Sequence, residues 1–403
     1  MALTPSTILT ARLINLMSGK ETAFGTALVP ATAKWMAVKP KPQFKPHVKT
    51  TVYDEERATL APGYLGAILE KGGEFQIDRL VTYEDILFEL AGCMGVPTPT
   101  GSYTWTFAAP TTTVPSPQSY TFEFAYDIST IQATGALIQK LTIKAESQKN
   151  WESSITGFYK SHLQCPSLNI LASGSTSPIK ITTSTAHNLV TGQNVGISGH
   201  LVNTTANGNW VITKVDGTSF TLNGSTATAS GGATGIAYQI PSSGSVVDRT
   251  VEIALMPTTT LAIDTAGGTV GTTNIPSALL GFQLDYETGF TPVYTNNSYE
   301  MTGYTYNRVM PKLSLDLLYT TEVKNAINSI LFGGTGALVD LKTISGSKQI
   351  ELQFAGVMGD QPTLYTDKNI AEMVQLKLDG MQDTGAFANY FKAIVTNTIA
   401  AIP

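Results

Sequence analysis

The sequence predicts a mainly β protein: two strand-rich units, each with one short α-helix, around an inserted small all-β domain. Three observations predict it. Apolar and polar residues alternate with period two in many short runs. One series of pieces recurs in the same order in both halves of the chain. The stretch between the two series is packed with Ser, Thr, Gly and Asn and is nearly free of acidic residues.

In the first unit, residues 1–166, alternation marks strands at Phe75-Gln76-Ile77-Asp78 and at Tyr120 to Tyr126. Between them Tyr83 to Met94 reads as a helix, with Thr82 as its N-cap and Gly95 as its stop. In the second unit, residues 242–403, Lys312 to Leu318 is a strand that leads through Thr320 into a helix at Glu322–Phe332, capped by Thr320 or Thr321. Gly333-Gly334 stops that helix, and Gln349 to Phe354 alternates again.

The two series align piece by piece. Glu74–Leu80 matches Lys312–Leu318, and Thr121–Phe124 matches Gln349–Leu352. Lys140–Ala145 matches Gln375–Gly380, and Phe44-Lys45-Pro46 matches Phe290-Thr291-Pro292. The domain between them, residues 167–241, carries strand signals at Pro178–Thr182, Asn194–Ile197, Trp210–Val215 and Ser219–Leu222. Turn pairs Asn207-Gly208, Asp216-Gly217 and Asn223-Gly224 separate these. Ser242 to Val246 reads as a connector.

The 403 residues are only 14% charged, against about 25% in an ordinary soluble domain. The net charge of -5 argues against a general nucleic-acid binder. No apolar run reaches the ~20 residues of a membrane-spanning helix, so membrane insertion is not expected. The stretch Met1 to Lys20 lacks the pattern of a secretory signal, so synthesis in the cytoplasm is expected.

Cys93 and Cys165 give no disulfide framework or metal spacing and read as buried hydrophobes. His47, His162, His187 and His200 show no ligand spacing, and His187 and His200, beside turn residues, read as surface loop positions. Asp54-Glu55-Glu56-Arg57 reads as a solvated turn. Trp35, Trp105, Trp151 and Trp210 are too dispersed for a binding stripe. No nucleophile elbow, phosphate loop or dinucleotide motif occurs. The expected role is therefore not enzymatic, with no cofactor and no metal.

The pieces now assembled resemble the major tail protein, or tail tube protein, of long-tailed bacteriophages. Lys20 to Ala27 looks like that family's N-terminal stretch, Gly73 through Gly95 like its strand leading into a helix, and Gly135 to Glu146 like the strand after its long loop. The middle domain resembles a small β-barrel module of phage structural proteins, named for the FCCH-like half-domain of ubiquitin-activating enzymes. The resemblance rests on Pro178–Thr183, Ala186–Leu189, Asn194–Gly199, Ala206–Trp210 and Thr218–Leu222.

The resemblance implies tail-tube-type β-sandwich or barrel units and a structural virion protein. Such proteins stack as rings into a hollow tube through which double-stranded DNA passes. It implies as partners further copies of the chain, tail tip and tail terminator proteins, and the tape measure protein in the lumen before ejection. With two units per chain, a trimeric ring with pseudo-sixfold symmetry is expected, a hexamer being the alternative. Rival readings are the tube of a contractile injection machine and a host-surface fibre or adhesin.

In the tube reading, alternation turns Phe75, Ile77, Leu313 and Leu315 to the core. Glu74, Gln76, Asp78, Ser314 and Asp316 then face the lumen. Asp78 and Asp316 occupy matching places, and Glu123 and Glu351 form a second matched pair of candidates. Lys312 falls on the same face as an exception to an acidic or neutral wall.

Overall fold

A computed structural model describes residues 15–26, 43–53, 65–101, 103–126, 129–166, 168–187, 189–240, 251–333, 335–360, 363–368 and 371–402. The Ser242–Val246 connector, the Asp54–Arg57 run and Trp35 lie outside these residues, as does the side chain of Cys165.

The first half runs β1 (Asn15–Lys20), β2 (Gln43–Tyr53), β3 (Leu65–Leu80), α1 (Ile86–Met94), β4 (Thr104–Ala108), β5 (Tyr120–Tyr126), β6 (Ser129–Glu146), β7 (Glu152–Tyr159) and β8 (Ser161–Pro166). The middle holds β9 (Leu168–Ser173), β10 (Lys180–Thr183), β11 (Asn194–Ser198), β12 (Gly208–Lys214), β13 (Ser219–Leu222) and β14 (Ile236–Ile240). The second half runs β15 (Thr259–Thr265), β16 (Leu279–Glu287), β17 (Phe290–Val293), β18 (Gly303–Tyr306), β19 (Met310–Leu318), α2 (Thr321–Gly333), β20 (Ala337–Ser345), β21 (Lys348–Met358), β22 (Thr363–Lys368), β23 (Ala371–Gly380) and β24 (Phe391–Thr396). The protein is mainly β, as its alternating sequence predicts.

Pairing repeats between the halves. In the first, β1 pairs β5, β5 pairs β6, β6 pairs β8 and β7, β7 pairs β3, and β3 pairs β2. In the second, β15 pairs β20, β20 pairs β21, β21 pairs β24 and β23, β22 also pairs β23, β23 pairs β19, and β19 pairs β16. Thus β1, β2, β3, β5, β7 and β8 correspond to β15, β16, β19, β20, β23 and β24, while β6 corresponds to β21 and β22 together.

This pairing corrects three of the sequence matches. Thr121–Phe124 on β5 corresponds to part of β20, not to Gln349–Leu352 on β21. Lys140–Ala145 on β6 is not the counterpart of Gln375–Gly380, which lies on β23, the partner of β7. Phe44-Lys45-Pro46 on β2 corresponds to part of β16, whereas Phe290 begins the β17–β18 hairpin. Period-two alternation specifies which face a residue takes, and every half-buried strand has it, so it does not say which strand is which.

Each half is two layers packed on one core. Phe75 of the β2-β3-β7-β6 layer meets Phe122 of the β1-β5-β6-β8 layer at 5.2 Å. Tyr286 on β16 meets Phe391 on β24 at 5.3 Å. The strands that cross between layers, β6 and β21, do so near glycines: Gly135 at φ +64°, and Gly356, where a Cβ would lie 2.7 Å from the Asp379 carbonyl oxygen. The halves merge because β6 pairs with β16, and because β4 adds to the edge of β24. The result is one 16-stranded sheet.

The helices are displaced slightly from expectation. α1 begins at Ile86 rather than Tyr83 because Tyr83 N–H donates to the Glu252 carbonyl (3.0 Å) and Thr82 bridges to Ile253. Thr82 Oγ1 instead accepts from Asp85 N (3.0 Å), closing the turn before the helix. Gly95, at φ +88°, ends it and donates to the Ala91 carbonyl. α2 starts one residue before expectation, at Thr321, and Thr320 Oγ1 accepts from Val323 N (3.3 Å) as its cap.

Residues 168–240 close into a six-stranded barrel in the order β10-β13-β12-β11-β14-β9, with its own core that includes Ile181, Val195, Ile212 and Phe220. Its first and last strands gave no signal in the sequence. Cys93 is buried, as expected. The surface reading of His187 and His200 is corrected: both are 1% exposed. His187 Nδ1 accepts from Leu189 N (2.9 Å), so the other nitrogen carries the proton and faces the Ser219 carbonyl at 3.3 Å. His200 Nδ1 bonds the Thr234 hydroxyl (3.0 Å). Turns with this much side-chain hydrogen bonding fold inward over the barrel's ends, which composition does not reveal.

Burial lowers the pKa of both histidines. The unfolded chain therefore takes up protons near the ordinary value of about 6.5, and the folded barrel only at lower pH. Barrel stability is present above that value and declines as pH falls below it. In hydrogen–deuterium exchange corrected for intrinsic rates, the protection of Ile181 and Phe220 amides should fall from pH 7 to pH 5. His187→Gln with His200→Gln should flatten that slope; an unchanged slope would refute it.

Candidate functional site: the polar face of the composite sheet

Strands β2-β3-β7-β6-β16-β19-β23-β22 follow one another in a single antiparallel layer that runs through both halves. Residues directly opposite across a ladder share a face. Asp78 stands opposite Ser154, Ser154 opposite Thr142, Thr142 opposite Asp285, Asp285 opposite Lys312, and Lys312 opposite Asp379. One polar face thus extends across β3, β7, β6, β16, β19 and β23. Behind it Ile77, Ile155, Ile143, Leu284, Leu313 and Leu378 are sealed in the core.

Five of the predicted residues lie on this face. Glu74 is exposed, and Gln76, Asp78, Ser314 and Asp316 are half-buried. Phe75, Ile77, Leu313 and Leu315 are buried, as alternation requires. Asp78 accepts from Ser154 Oγ (2.6 Å) and Gln76 Nε2 (3.2 Å). Asp316 accepts from Gln375 Nε2 (2.9 Å). Ser154 and Gln375 hold the same place in their units, each directly opposite its aspartate. Each aspartate also stands four residues before the threonine that closes the turn into its helix. Asp78 and Asp316 are therefore structural equivalents.

Glu123 and Glu351 lie elsewhere, on the outward faces of the second layers. Glu123 is 1% exposed and accepts from Gln132 Nε2 (2.7 Å). Glu351 is 9% exposed, accepts from Gln349 (2.6 Å) and Gln353, and pairs with Lys342 (3.4 Å). Counted from the turns of the two equivalent hairpins, Glu123 opposes Gln132 where Lys342 opposes Glu351. Glu123 thus corresponds to Lys342, not to Glu351. Because the layers pack core to core, neither glutamate shares a surface with Asp78.

The face is of mixed charge, which the sequence reading reached only for Lys312. Lys140, Lys144 and Lys377 join it there, and Lys45 opposes Glu74. Lys140 pairs with Asp285 (3.1 Å), Lys144 with Glu152 (3.7 Å) and Lys312 with Asp379 (3.8 Å). Such exposed pairs add at most about 1 kcal/mol each to stability, but each sets a carboxylate against an ammonium group. The signal that would have found two of these lysines is register, since Lys140 stands opposite Glu287 and Lys144 opposite Glu152. Among the described residues no cluster of His, Cys, Asp or Glu is built to hold a metal ion.

At the joint between halves, Asp285 accepts from Thr142 Oγ1 (2.6 Å) and Gln283 Nε2 (2.8 Å). Burial alone raises its carboxyl, but these bonds and Lys140 outweigh burial and hold it below the ordinary carboxylate range. A lowered carboxyl stabilises the fold above its unfolded pKa, and the contribution fades as pH falls through the folded value. Asp285→Ala should therefore cost about 1–2 kcal/mol at neutral pH and distinctly less near pH 3. Urea denaturation followed by tryptophan fluorescence measures both; equal losses at the two pH values would show that the carboxylate is not the stabilising group.

No protein-family model matches this chain and no curated protein is significantly similar to it, so the geometry of the polar face carries the functional reading by itself.

Proposed function

We propose that this chain is a structural virion protein, the tail tube subunit of a long-tailed bacteriophage. In this reading it is made in the host cytoplasm, assembles into stacked rings, and ends in the virion tail, where DNA passes through the tube during ejection. The observation that carries the reading is the composite layer. Two equivalent sets of strands lie side by side in one sheet, joined by the β6–β16 ladder, with β2 at one end and β22 at the other. A head-to-tail joint that already exists once inside the chain can be repeated between chains, and a repeated heterologous joint that closes makes a ring. Closure also removes the exposed edges that otherwise promote aggregation.

Size favours three chains. Each brings eight strands to the layer. At a spacing of about 4.7 Å and an ordinary strand tilt, 24 strands enclose a barrel about 45 Å across between backbones. Side chains reduce that to a passage of the order of a DNA duplex, whereas six chains would roughly double it. The inserted barrel packs through β14 on β6 and β8, toward the second layer. That supports a place on the outer wall, consistent with the FCCH-like module of phage structural proteins. The tail tip, tail terminator and tape measure proteins are the other partners of this reading, and its role is not enzymatic.

Electron microscopy of purified protein, alone and with tail tip components, tests the reading. Hollow tubes or rings with three inserted barrels per ring are expected; a chain that stays monomeric in both settings overturns it. In the assembled tube the polar face lines the lumen. Most of its lysines are matched by carboxylates, which limits the salt-dependent grip that unpaired cations exert on phosphates. Asp78→Lys with Asp316→Lys removes two carboxylates per chain and adds two cations. The variant should assemble normally but eject DNA more slowly, most of all at low salt. Ejection at the parent rate at every salt concentration would remove Asp78 and Asp316 from the lumen.

A further inference from the structure

The internal joint also specifies how one chain would meet the next, an inference that rests on the tube reading. β2 and β16 are equivalents, and among the described residues β16 is paired on both sides whereas β2 pairs only β3. β22 corresponds to the part of β6 that meets β16, and among the described residues it pairs only β23. The register carries over, with one extra residue in β22 between Leu364 and Thr366. Thr142 stands opposite Ser154 as Thr363 stands opposite Gln375, and those two stand opposite the equivalent Asp78 and Asp316. On the other strand Asp285 opposes Lys312 as Lys45 opposes Glu74, each four residues before its aspartate along the helix-leading strand.

We propose that β22 of one copy pairs antiparallel with β2 of the next in the β6–β16 register, setting Thr363 opposite Lys45 and Thr366 opposite Gln43. The occupant of each edge is a second copy of this chain, and the template is the joint already built within it.

The chemistry of the two joints differs in a way that keeps them apart. β16 offers Asp285 and Glu287 to Lys140 of β6, which lies 3.1 Å from Asp285 and 4.0 Å from Glu287. At the matching positions β2 carries Lys45 and His47, both exposed. A free β2 edge that tried to displace β16 would set Lys45 and His47 against Lys140 and Lys144 and be disfavoured. The internal joint is thereby protected while β22 remains open to β2.

Paired cysteines test the register. Lys45→Cys with Thr363→Cys, assembled and then mildly oxidised, should move most of the chain into reducible multimers on a denaturing gel. The series should end at three chains if the ring closes there. Each single variant and the pair Lys45→Cys with Gln349→Cys, which lies on the second layer, should remain monomeric. Gln43→Cys with Thr366→Cys reads the same register should the first pair fail to fold. Tubes in which neither pair crosslinks, or in which the Gln349 control crosslinks equally, overturn this joint and leave the tube reading standing. Failure of the parent chain to form rings overturns the tube reading itself.

Discussion

Everything in this architecture hangs on the ladder between β6 and β16. Its backbone bonds run from Lys140 opposite Glu287 to Glu146 opposite Gly281. Its core side packs Leu141, Ile143 and Ala145 with Tyr286, Leu284 and Phe282, all buried. Its other side carries the Thr142–Asp285–Lys140 contacts. A one-residue slip here would turn a lysine into the core and a leucine into water, so the same ladder that joins the halves fixes the phase of the whole polar face. Other links cross the same boundary. Lys348 on β21 pairs with Glu84, which precedes α1, at 2.5 Å. Asn397 donates to the Tyr83 carbonyl (2.8 Å).

How much of this the sequence disclosed depends on what each signal measures. Alternation is a statement about faces, and on faces it was reliable: Phe75, Ile77, Leu313 and Leu315 point inward and Asp78 and Asp316 outward. The capping threonines and stop glycines located both helices to within a few residues. Pairing partners are a different matter. Glu123 and Glu351 look alike in sequence because both sit in glutamate-centred alternating runs, yet they occupy facing strands of equivalent hairpins. The extra β4 and the β17–β18 hairpin lengthen different loops in the two halves, which breaks any count of residues from one strand to the next.

Buried polar groups were the least legible. Arg79 is in phase with Phe75 and Ile77, so its side chain enters the core, where it lies 2.8 Å from Glu89 and 3.5 Å from Asp85. Burial leaves the Glu89 carboxyl raised even with the Arg79 charge beside it and Ser153 Oγ donating to it. An arginine at an inward strand position followed by an acid on the next helix was the available clue. Glu21 is another case. Its carboxylate accepts from Gly25 N (2.8 Å), Ser119 Oγ (2.8 Å), Thr121 Oγ1 (2.9 Å) and Gly135 N (2.8 Å), tying the segment after β1 to β5 and to the bend of β6. A buried carboxylate met by four donors, as at Glu21, specifies one packing rather than merely a compact one.

The strap made by β4 has a consequence for the life of the chain before it is finished. β4 follows α1 in the first half, but its only ladder partner among the described residues is β24, where Thr104 opposes Thr396. Trp105, 2% exposed, donates to the Ile399 carbonyl at 3.2 Å. A ribosome that has made the first half has produced a strand with no sheet to join and a tryptophan with no pocket. Contacts this distant in sequence close late and slowly, and the nascent chain carries open edges until they do. Closure of this sheet is thus timed by β24, which is made long after β4 itself.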